Sequence, residues 1–418
     1  MKVNGWKTCK VDDIFLLKGG SAFKEKYQGQ LCGEYPFIKV SDFNLPNNKM
    51  FITSANNWIS KEVKNTLKPN IFPNNTIVFA KVGAALSSNR RRILTRNTAI
   101  DNNMMGAIPK NIDPLFGYYV FCTIDFNKFV QDGAVPSVNQ KQIGNVLVYI
   151  PESTSEQQKI AEVLLTVDKR INLIDQKIAE TEKLKTGLMQ KLFSEGVGVQ
   201  DENGNWQPHT EFQDSPFGKI PRAWKYAPVK SLVSIKSPKY DPKIKTESLP
   251  CIELEHLSQG SGEILGTVNS LELASTKNCF AKGDVLFGKL RPYLKKFAKP
   301  NFNGVCSSEI WVMKTTDNKV LHNDFWFYFI QSDRFINEAN KSCGTKMPRA
   351  DWKVVSELIL PIPSFCEQLG IAKILECVDA KLGLLKQQKA ETQQLKKGLM
   401  QKLLTGEWRV PVEETEAA

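Results

Sequence analysis

Two stretches of the chain carry apolar residues at alternating steps of four and three, the spacing that is typical of a coiled-coil helix. The first stretch keeps this spacing from Ile160 to Ile178, and the second keeps it from Ile371 to Leu385. Further along each stretch, the apolar residues continue at steps of four. The predicted interface positions are Ile160, Leu164, Val167, Ile171, Ile174, Ile178, Leu184, Leu188 and Leu192 in the first helix, and Ile371, Leu375, Val378, Leu382, Leu385, Leu395, Leu399 and Leu403 in the second.

The two stretches are copies of one sequence. Residues 156–192 align with residues 367–403 without gaps, with 20 identities in 37 positions. Ser155 is the predicted N-cap of the first helix. A helix of about 38 residues is roughly 55–60 Å long, and its apolar face needs a partner. The matching registers favour packing of the two copies against each other; packing of each helix on its own domain alone is the alternative.

The segments in front of the helices are predicted to be mixed α/β domains with short strands such as YPFIKV, TIVFAKV and DVLFGKL. Two aromatic runs, FGYYVFCTIDFNKF and DFWFYFIQSDRF, are predicted to be short core helices. Weak similarity between the two segments indicates a tandem duplication of domain plus helix. The predicted boundaries are 1–150 for the first domain, 151–196 for the first helix, 197–219 for an irregular connector, 220–365 for the second domain, 366–408 for the second helix and 409–418 for the tail.

The net charge of +12 is concentrated in the domains. Counting Lys and Arg against Asp and Glu gives +9 for residues 1–150, −1 for 151–200, +4 for 201–366 and zero for 367–418. A basic excess on particular domains favours an anionic partner, most often nucleic acid. Solubility alone is the alternative explanation.

The sequence carries no recognisable catalytic motif. It lacks a phosphate-binding GxxxxGK[ST] loop and the Asn/Asp-Pro-Pro-aromatic tetrapeptide of an amino-methyltransferase. The 9 cysteines form no CxxC pair and the 3 histidines are isolated, which argues against a zinc site and a disulfide framework. No apolar run is long enough for a membrane span, and the N-terminus does not resemble a signal peptide. We therefore expect a soluble, cytoplasmic binding protein rather than an enzyme, with no metal or cofactor of its own.

Basic side chains follow equivalent strands in the two segments. Such clusters can clamp phosphates or bond guanine in the major groove, although a solvated turn is the alternative. A second pair of loops, with Pro136 and Pro348, precedes the helices. Its Asn and Gln side chains can read adenine, but they also cap turns. The candidate DNA contacts are Lys81, Arg90, Arg91, Arg92, Arg96, Asn139 and Gln140 in the first segment, and Lys289, Arg291, Lys295, Lys296, Lys346 and Arg349 in the second.

Taken together, the sequence motifs and their duplicated layout resemble the specificity subunit of a Type I restriction–modification system. The resemblance rests on two copies of the phrase EQxxIAxxLxxVDxxI followed by LKxGLMQKL, on DVLFGKLRPYLKK and GTKMPRADW, and on the ending TGEWRV. It covers essentially the whole chain. The domains resemble the family in layout more than in individual residues.

The resemblance implies two target recognition domains, each reading one half of a split DNA site. It implies an antiparallel coiled coil with pseudo-two-fold symmetry that sets the gap between the half-sites. Two methyltransferase subunits would bind this helical platform, and two restriction subunits could join them. S-adenosylmethionine, ATP and magnesium would belong to those partners, and the chain itself would catalyse nothing.

Two other functions remain open at this stage. One is a coiled-coil adaptor that binds only protein and shows no preference among DNA sequences. The other is a single-chain restriction enzyme, which would need the motifs that are missing here. Gly187 and Gly398 lie inside the helices, where glycine costs about 1 kcal/mol relative to alanine. We expect them to allow close backbone approach, either between the two helices or to a partner helix.

Overall fold

The computed structural model describes residues 3–129, 136–216, 218–341 and 347–411. The chain divides into two compact units. The first unit combines residues 1–175 with residues 388–418, and the second contains residues 176–387.

The first unit is built on two sheets with mostly antiparallel neighbours. In hydrogen-bonding order, one sheet contains Phe15–Gly19, Met104–Pro109, Ile77–Ala80, Arg91–Leu94 and Phe51–Ile52. The other contains Trp58–Ile59, Tyr35–Ile38, Thr98–Ile100 and Ile71–Phe72. A separate antiparallel pair joins Trp6–Lys10 to Leu147–Pro151. The short helices are Val11–Ile14, Lys61–Leu67, Ala84–Ser87, Pro114–Thr123 and Gln140–Gly144, with 3-10 turns at Glu25–Tyr27, Val40–Asn44 and Phe126–Phe129.

The second unit repeats this plan. One sheet contains Val233–Ser234, Ile310–Thr315, Val285–Gly288 and Phe297–Ala298. The other contains Lys239–Tyr240, Lys277–Phe280, Gly304–Cys306, Pro250–Ile252 and Val268–Asn269, and Lys225–Pro228 pairs with Ile359–Ile362. The short helices are Val229–Leu232, Asn323–Phe329, Asp333–Lys341 and Trp352–Val355, with 3-10 turns at Leu254–His256, Ser270–Glu272 and Pro292–Leu294.

The strand register confirms that the two domains are equivalent. Phe37 pairs in parallel with Ala99 in the first domain, and Cys251 pairs in parallel with Val305 at the same place in the second. The aromatic runs form helices as predicted, and their rings are buried: Tyr119 and Trp326 are both fully enclosed. The prediction that these aromatics belong to the core, rather than to a base-stacking surface, is confirmed.

The connector between the halves was predicted to be irregular, and this prediction is wrong. It forms two hairpins, one pairing Val199–Gln200 with Trp206–Gln207 and the other pairing Phe212–Ser215 with Gly218–Pro221. The first turn contains Asn203-Gly204, a dipeptide that favours tight hairpins because Gly204 can adopt its φ of +81° without strain.

The two long helices are Thr154–Leu192 and Phe365–Leu403. Each begins before the residue at which the repeat was aligned. The backbone N–H of Glu156 donates to the Ser153 hydroxyl, and Glu367 does the same with Ser364. Ser155 therefore lies inside the first helix, and the prediction that it caps this helix is wrong.

The two helices pack together and run in opposite directions within each unit. In the first unit, the start of the first helix and the end of the second share one core, which contains Ile160, Leu164 and Leu403. In the second unit the roles are exchanged, and Leu192 packs in one core with Ile371 and Leu375. The prediction that the two helices pack against each other is thus confirmed, and the alternative of packing on the domains alone is wrong, although the ends of the helices also contact the domains.

The predicted interface positions in the middle and in the C-terminal part of each helix are less uniformly buried. Ile174 and Leu382 are buried. Seven of the predicted positions are half-buried: Val167, Ile171, Ile178, Leu188, Val378, Leu385 and Leu399. Leu184 and Leu395 are 51% and 53% exposed, so they are not enclosed between the two helices, and their role as interface positions towards a partner stays a prediction.

Gly187 and Gly398, which occupy the same place in the two helices, do not lie at a close backbone contact with described residues. A Cβ atom placed at Gly187 or Gly398 would meet no atom within 4 Å. The expectation that these glycines lie where the two helices cross is therefore wrong, and a role towards a partner helix stays a prediction.

A buried glutamate at the start of each helix joins three segments of its unit. Glu156 accepts hydrogen bonds from the Trp6 indole (3.3 Å) and from the Arg409 guanidinium (2.8 Å). Glu367 accepts from the Trp224 indole (2.8 Å), and it lies 3.0 Å from His209 Nε2. The segment after one helix is thus fixed to the start of the other helix and to the first strand of the domain beside it.

Candidate nucleic-acid interface

Two neighbouring loops of the first domain form what we call the first loop pair, residues 81–83 and 136–138. The first loop directly follows a fully buried strand. The loops are joined by backbone hydrogen bonds, from Val138 N to the Lys81 carbonyl (3.0 Å) and from Gly83 N to the Pro136 carbonyl (2.8 Å). Lys81 N also donates to the Asn103 carbonyl (2.9 Å), which fixes the point where the strand ends.

The second domain has the same arrangement in what we call the second loop pair, residues 289–295 and 347–350. The corresponding hydrogen bonds run from Ala350 N to the Lys289 carbonyl (2.8 Å), from Arg291 N to the Pro348 carbonyl (2.7 Å) and from Lys289 N to the Glu309 carbonyl (2.9 Å). In the sequence these loops form two separate pairs, one after equivalent strands and one before the long helices. The structure brings them together in each domain.

The second loop pair presents large side chains to the surface. Arg291 is exposed, and Tyr293 and Met347 are 52% and 59% exposed. Arg349 is held by the Glu309 carboxylate through two hydrogen bonds, of 3.0 Å from Nε and 3.3 Å from a terminal nitrogen. This surface combines cationic, aromatic and apolar groups, which is the chemistry needed to contact both phosphates and base edges.

Two other lysines of this region are already bound within the domain. Lys295 Nζ lies 2.9 Å from the Asp333 carboxylate, and Lys296 Nζ donates to the Leu254 carbonyl at 2.5 Å. Lys289 is half-buried at the base of the loop. Lys346 lies outside the described residues.

The run of arginines in the first domain does not form an exposed loop. Arg91 and Arg92 belong to the strand Arg91–Leu94, and Arg91 is only 3% exposed. Its guanidinium stacks 4.0 Å from the centre of the Phe126 ring and donates to the Ile124 carbonyl. Burial lowers the pKa of Arg91. Its prediction as a DNA contact is therefore corrected: this side chain supports the core.

Arg92 has a similar structural role. Its Nε donates to the Asn48 carbonyl at 2.6 Å, and the side chain lies over the Phe43 ring. Burial lowers the pKa of this guanidinium as well. Arg92 therefore ties the strand to a neighbouring loop, and its role as a DNA contact stays a prediction.

The remaining candidates of the first domain lie at the surface. Arg90 is exposed and donates to the Asn44 amide oxygen (2.6 Å), while Arg96 lies over the Trp58 ring. Asn139 caps the short helix Gln140–Gly144 by accepting from the backbone N–H of its third residue. Asn139 thus acts as a turn cap, whereas Gln140 is exposed.

Each unit also contains a charged cluster that the sequence analysis missed. In the first unit, Lys396 Nζ lies 2.6 Å from the Asp168 carboxylate, which also accepts from the Tyr119 hydroxyl (2.8 Å). In the second unit, Lys185 Nζ lies 2.7 Å from Asp379, which is hydrogen-bonded to Tyr328. In both units, burial and the neighbouring carboxylate raise the pKa of the tyrosine.

These clusters explain part of the repeated sequence. Lys185 and Lys396 occupy the same place in the two copies, as do Asp168 and Asp379. The lysine of one helix pairs with the aspartate of the other, so both copies must keep both residues. The identities at these positions were the signal that could have revealed the contact.

The helices also carry a duplicated exposed face. Leu173 and Leu184 are exposed leucines eleven residues apart, a spacing that places them on one side of a helix. Leu384 and Leu395 occupy the same places in the second copy and are exposed as well. The two helices therefore carry exposed leucines at equivalent places of the repeat.

In the part of the chain that the structure describes, no three His, Cys, Asp or Glu side chains come together in a way that could hold a metal ion. Among the described helices, none is long and apolar enough to cross a membrane.

The family to which this chain belongs is that of the Type I restriction modification DNA specificity domain, whose model matches residues 4–183 and 221–394. The two matched regions each contain one domain and most of the helix that follows it. The chain is 24% identical over 433 residues to the Type I restriction enzyme MjaVIII specificity subunit of Methanocaldococcus jannaschii, with 97% of this chain and 93% of the relative covered. It is 22% identical over 441 residues to the EcoDI specificity subunit of Escherichia coli, with 97% and 90% covered.

Solved structures show the same fold. The S subunit of a Type I restriction–modification system from M. genitalium aligns with a TM-score of 0.57 at 16% identity, over 96% of this chain and 98% of that chain. A chain from work on complex assembly and conformational transition of the type I R-M system aligns with the same TM-score of 0.57 at 13% identity, over 97% and 99% of the two chains. The predicted fold class, mixed α/β with an antiparallel helix pair, is thereby confirmed.

Proposed function

We propose that this chain recognises a bipartite DNA target, with one half-site contacted by the loop pair of each domain. The observation that carries the proposal is the recurrence of one backbone arrangement in both domains, with Lys81 and Lys289 at the same place. A fixed scaffold with different side chains on its loops is how many proteins present binding surfaces. The lysines would neutralise phosphates, and the differing side chains would read sequence.

The proposal assigns no catalytic step to this chain. Methyltransferase subunits, and restriction subunits where they are present, would supply the chemistry together with S-adenosylmethionine, ATP and magnesium. The duplicated helix face would hold two copies of the methyltransferase, because the same exposed residues occur once on each helix. Those residues are Leu173, Leu184 and Gly187 on the first helix, and Leu384, Leu395 and Gly398 on the second.

The DNA part of the proposal is tested by sequencing the methylome of a host that expresses the chain with its methyltransferase subunit. We expect one interrupted motif with two defined halves. A continuous motif would contradict the bipartite reading, and methylation without sequence preference would favour the protein-only adaptor instead.

The partner part is tested by native mass spectrometry of the purified complex. Leu184→Glu should remove one methyltransferase copy, and Leu184→Glu with Leu395→Glu should remove both. Leu31→Glu is the matched control, because Leu31 is a 78% exposed leucine that belongs to the first domain and not to a long helix. Full assembly by the double variant would show that this face does not bind the partner.

A further inference from the structure

The two loop pairs share the same backbone hydrogen bonds and differ in the side chains that they carry. In both, the second residue after the shared lysine has a positive φ: Gly83 at +74° and Arg291 at +51°. Both donate their N–H to a proline carbonyl of the opposite loop, at 2.8 and 2.7 Å. They therefore occupy the same position in the two domains.

Arginine is an unusual residue for this backbone conformation. Positive φ is favourable for glycine, whereas a Cβ atom makes it costly. Lys295, at the other end of the same short turn, also has a positive φ, of +49°. Conformations of this kind tend to persist where the side chain has a function, because the surrounding structure must compensate for the strain.

The Arg291 side chain is less restrained than two other cations of the second loop pair. Lys295 pairs with Asp333, and Arg349 is held by Glu309. Arg291 is exposed, and no residue that the structure describes is hydrogen-bonded to its guanidinium. Five N–H donors on this side chain can therefore be offered to a ligand.

Differences between the two loop pairs identify the residues that can distinguish two DNA sequences. The shared lysines, Lys81 and Lys289, stand in the same backbone setting and would contact what every half-site has, the phosphates. Arg291 replaces Gly83, which has no side chain at all. Whatever Arg291 contacts has no counterpart in the first domain.

Resting on the proposed function, we propose that Arg291 is a specificity-determining residue of the second domain and that it reads a guanine in the second half-site. A guanidinium can bond O6 and N7 of guanine together in the major groove, the commonest specific contact between an arginine and a base. Arg291 is exposed, so its side chain can meet a ligand at the surface of the domain. The Glu309 carboxylate binds the Arg349 guanidinium through two hydrogen bonds, so this second arginine has fewer N–H donors to offer a base.

The test uses the full chain in complex with its methyltransferase and reads the methylated motif. Arg291→Gly is the central variant because it installs the residue found at this position in the first domain, and because glycine tolerates the positive φ of Arg291. We expect the first half of the methylated motif to stay unchanged. In the second half, the motif should accept any base at one position that is guanine for the wild type. Discrimination at that position should fall about 5- to 150-fold, the range for one good bidentate contact.

Arg291→Lys separates base reading from simple charge. A lysine keeps the positive charge but cannot form the planar two-point contact. If Arg291 reads guanine, the lysine variant should lose discrimination as the glycine variant does. If it only neutralises a phosphate, lysine should behave like the wild type, and glycine should weaken all sequences equally while lowering the salt slope by about one.

Lys289→Ala provides the matched control and should weaken binding to all sequences without changing the motif. Three results would overturn the proposal: an unchanged motif in Arg291→Gly, a wild-type second half-site without guanine, and a loss of methylation at every sequence. Failure of the proposed function looks different, because the wild-type complex would then show no bipartite motif.

Discussion

The ion pairs between the two long helices allow a unit-specific prediction. Lys396→Met should loosen the first unit, in which Lys396 pairs with Asp168 at 2.6 Å, and leave the second unit unchanged. Lys185→Met should do the reverse, because Lys185 pairs with Asp379 at 2.7 Å in the second unit. Methionine retains most of the aliphatic side chain, so the change isolates the charge.

The expected magnitude follows from burial. The side chains of Lys396 and Asp168 are 24% and 17% exposed, so this pair is better shielded than an ordinary surface ion pair. Hydrogen bonds to charged groups contribute about 1.5–3 kcal/mol. The Tyr119 hydroxyl still donates to the carboxylate after the change, which limits the loss. We expect local unfolding of the helix ends in this unit to become easier by about 2 kcal/mol.

Hydrogen exchange followed by mass spectrometry measures this opening separately in each unit. A change of about 2 kcal/mol corresponds to roughly 30-fold faster exchange at the affected amides. Adding Asp168→Asn to Lys396→Met should cost little more, because the two residues act as one pair. Equal exchange in both units, or fully additive effects of the two changes, would show that this ion pair does not hold the helices together.

Three further outcomes test other parts of the structure. Arg91→Lys should lower the free energy of unfolding by about 2–3 kcal/mol because it breaks buried hydrogen bonds. Arg90→Lys, at the surface, should change the free energy of unfolding by less than about 0.5 kcal/mol. Equal melting temperatures of the two variants would contradict this. Arg409→Met should speed hydrogen exchange in the first strand of the chain, because a buried carboxylate loses its cation; unchanged exchange there would refute it. Burial raises the pKa of Cys251 to about 12. At pH 8 its thiol should therefore stay protonated and resist iodoacetamide, while the exposed Cys32 is labelled. Equal labelling of the two cysteines would show that the core around Cys251 opens.

The long helices were predictable because their signal is redundant. Periodic apolar residues and the duplication point to the same element, and no tertiary contact is needed to recognise it. Their exact starts were missed because the capping Ser153 and Ser364 lie just outside the aligned repeat. Extending the comparison by three residues would have paired these two serines.

The hairpins of the connector were missed for a different reason. A Gly-rich and Asn-rich composition suggests irregular structure, but Asn203-Gly204 between two short polar strands also fits a tight turn. Composition was given more weight than the position of one dipeptide. The local signal was present in the sequence.

The candidate site depends on contacts that sequence spacing does not contain. Arg349 is oriented by Glu309, forty residues away in the chain. Arg91 looked like its neighbour Arg90, yet only Arg91 faces the aromatic core. Adjacent residues of a strand point to opposite faces, and the boundary between loop and strand was the part of the prediction that failed.

The division of the chain into units has a consequence for biosynthesis. The second unit is one uninterrupted segment, residues 176–387, whereas the first unit needs residues 388–411 to complete its core and to bind Glu156. A ribosome therefore releases the first domain early but delivers its last packing partners only after the whole second unit. The domain made first would be the last to reach its final stability, and until then it would be the part of a nascent chain most exposed to proteases and chaperones.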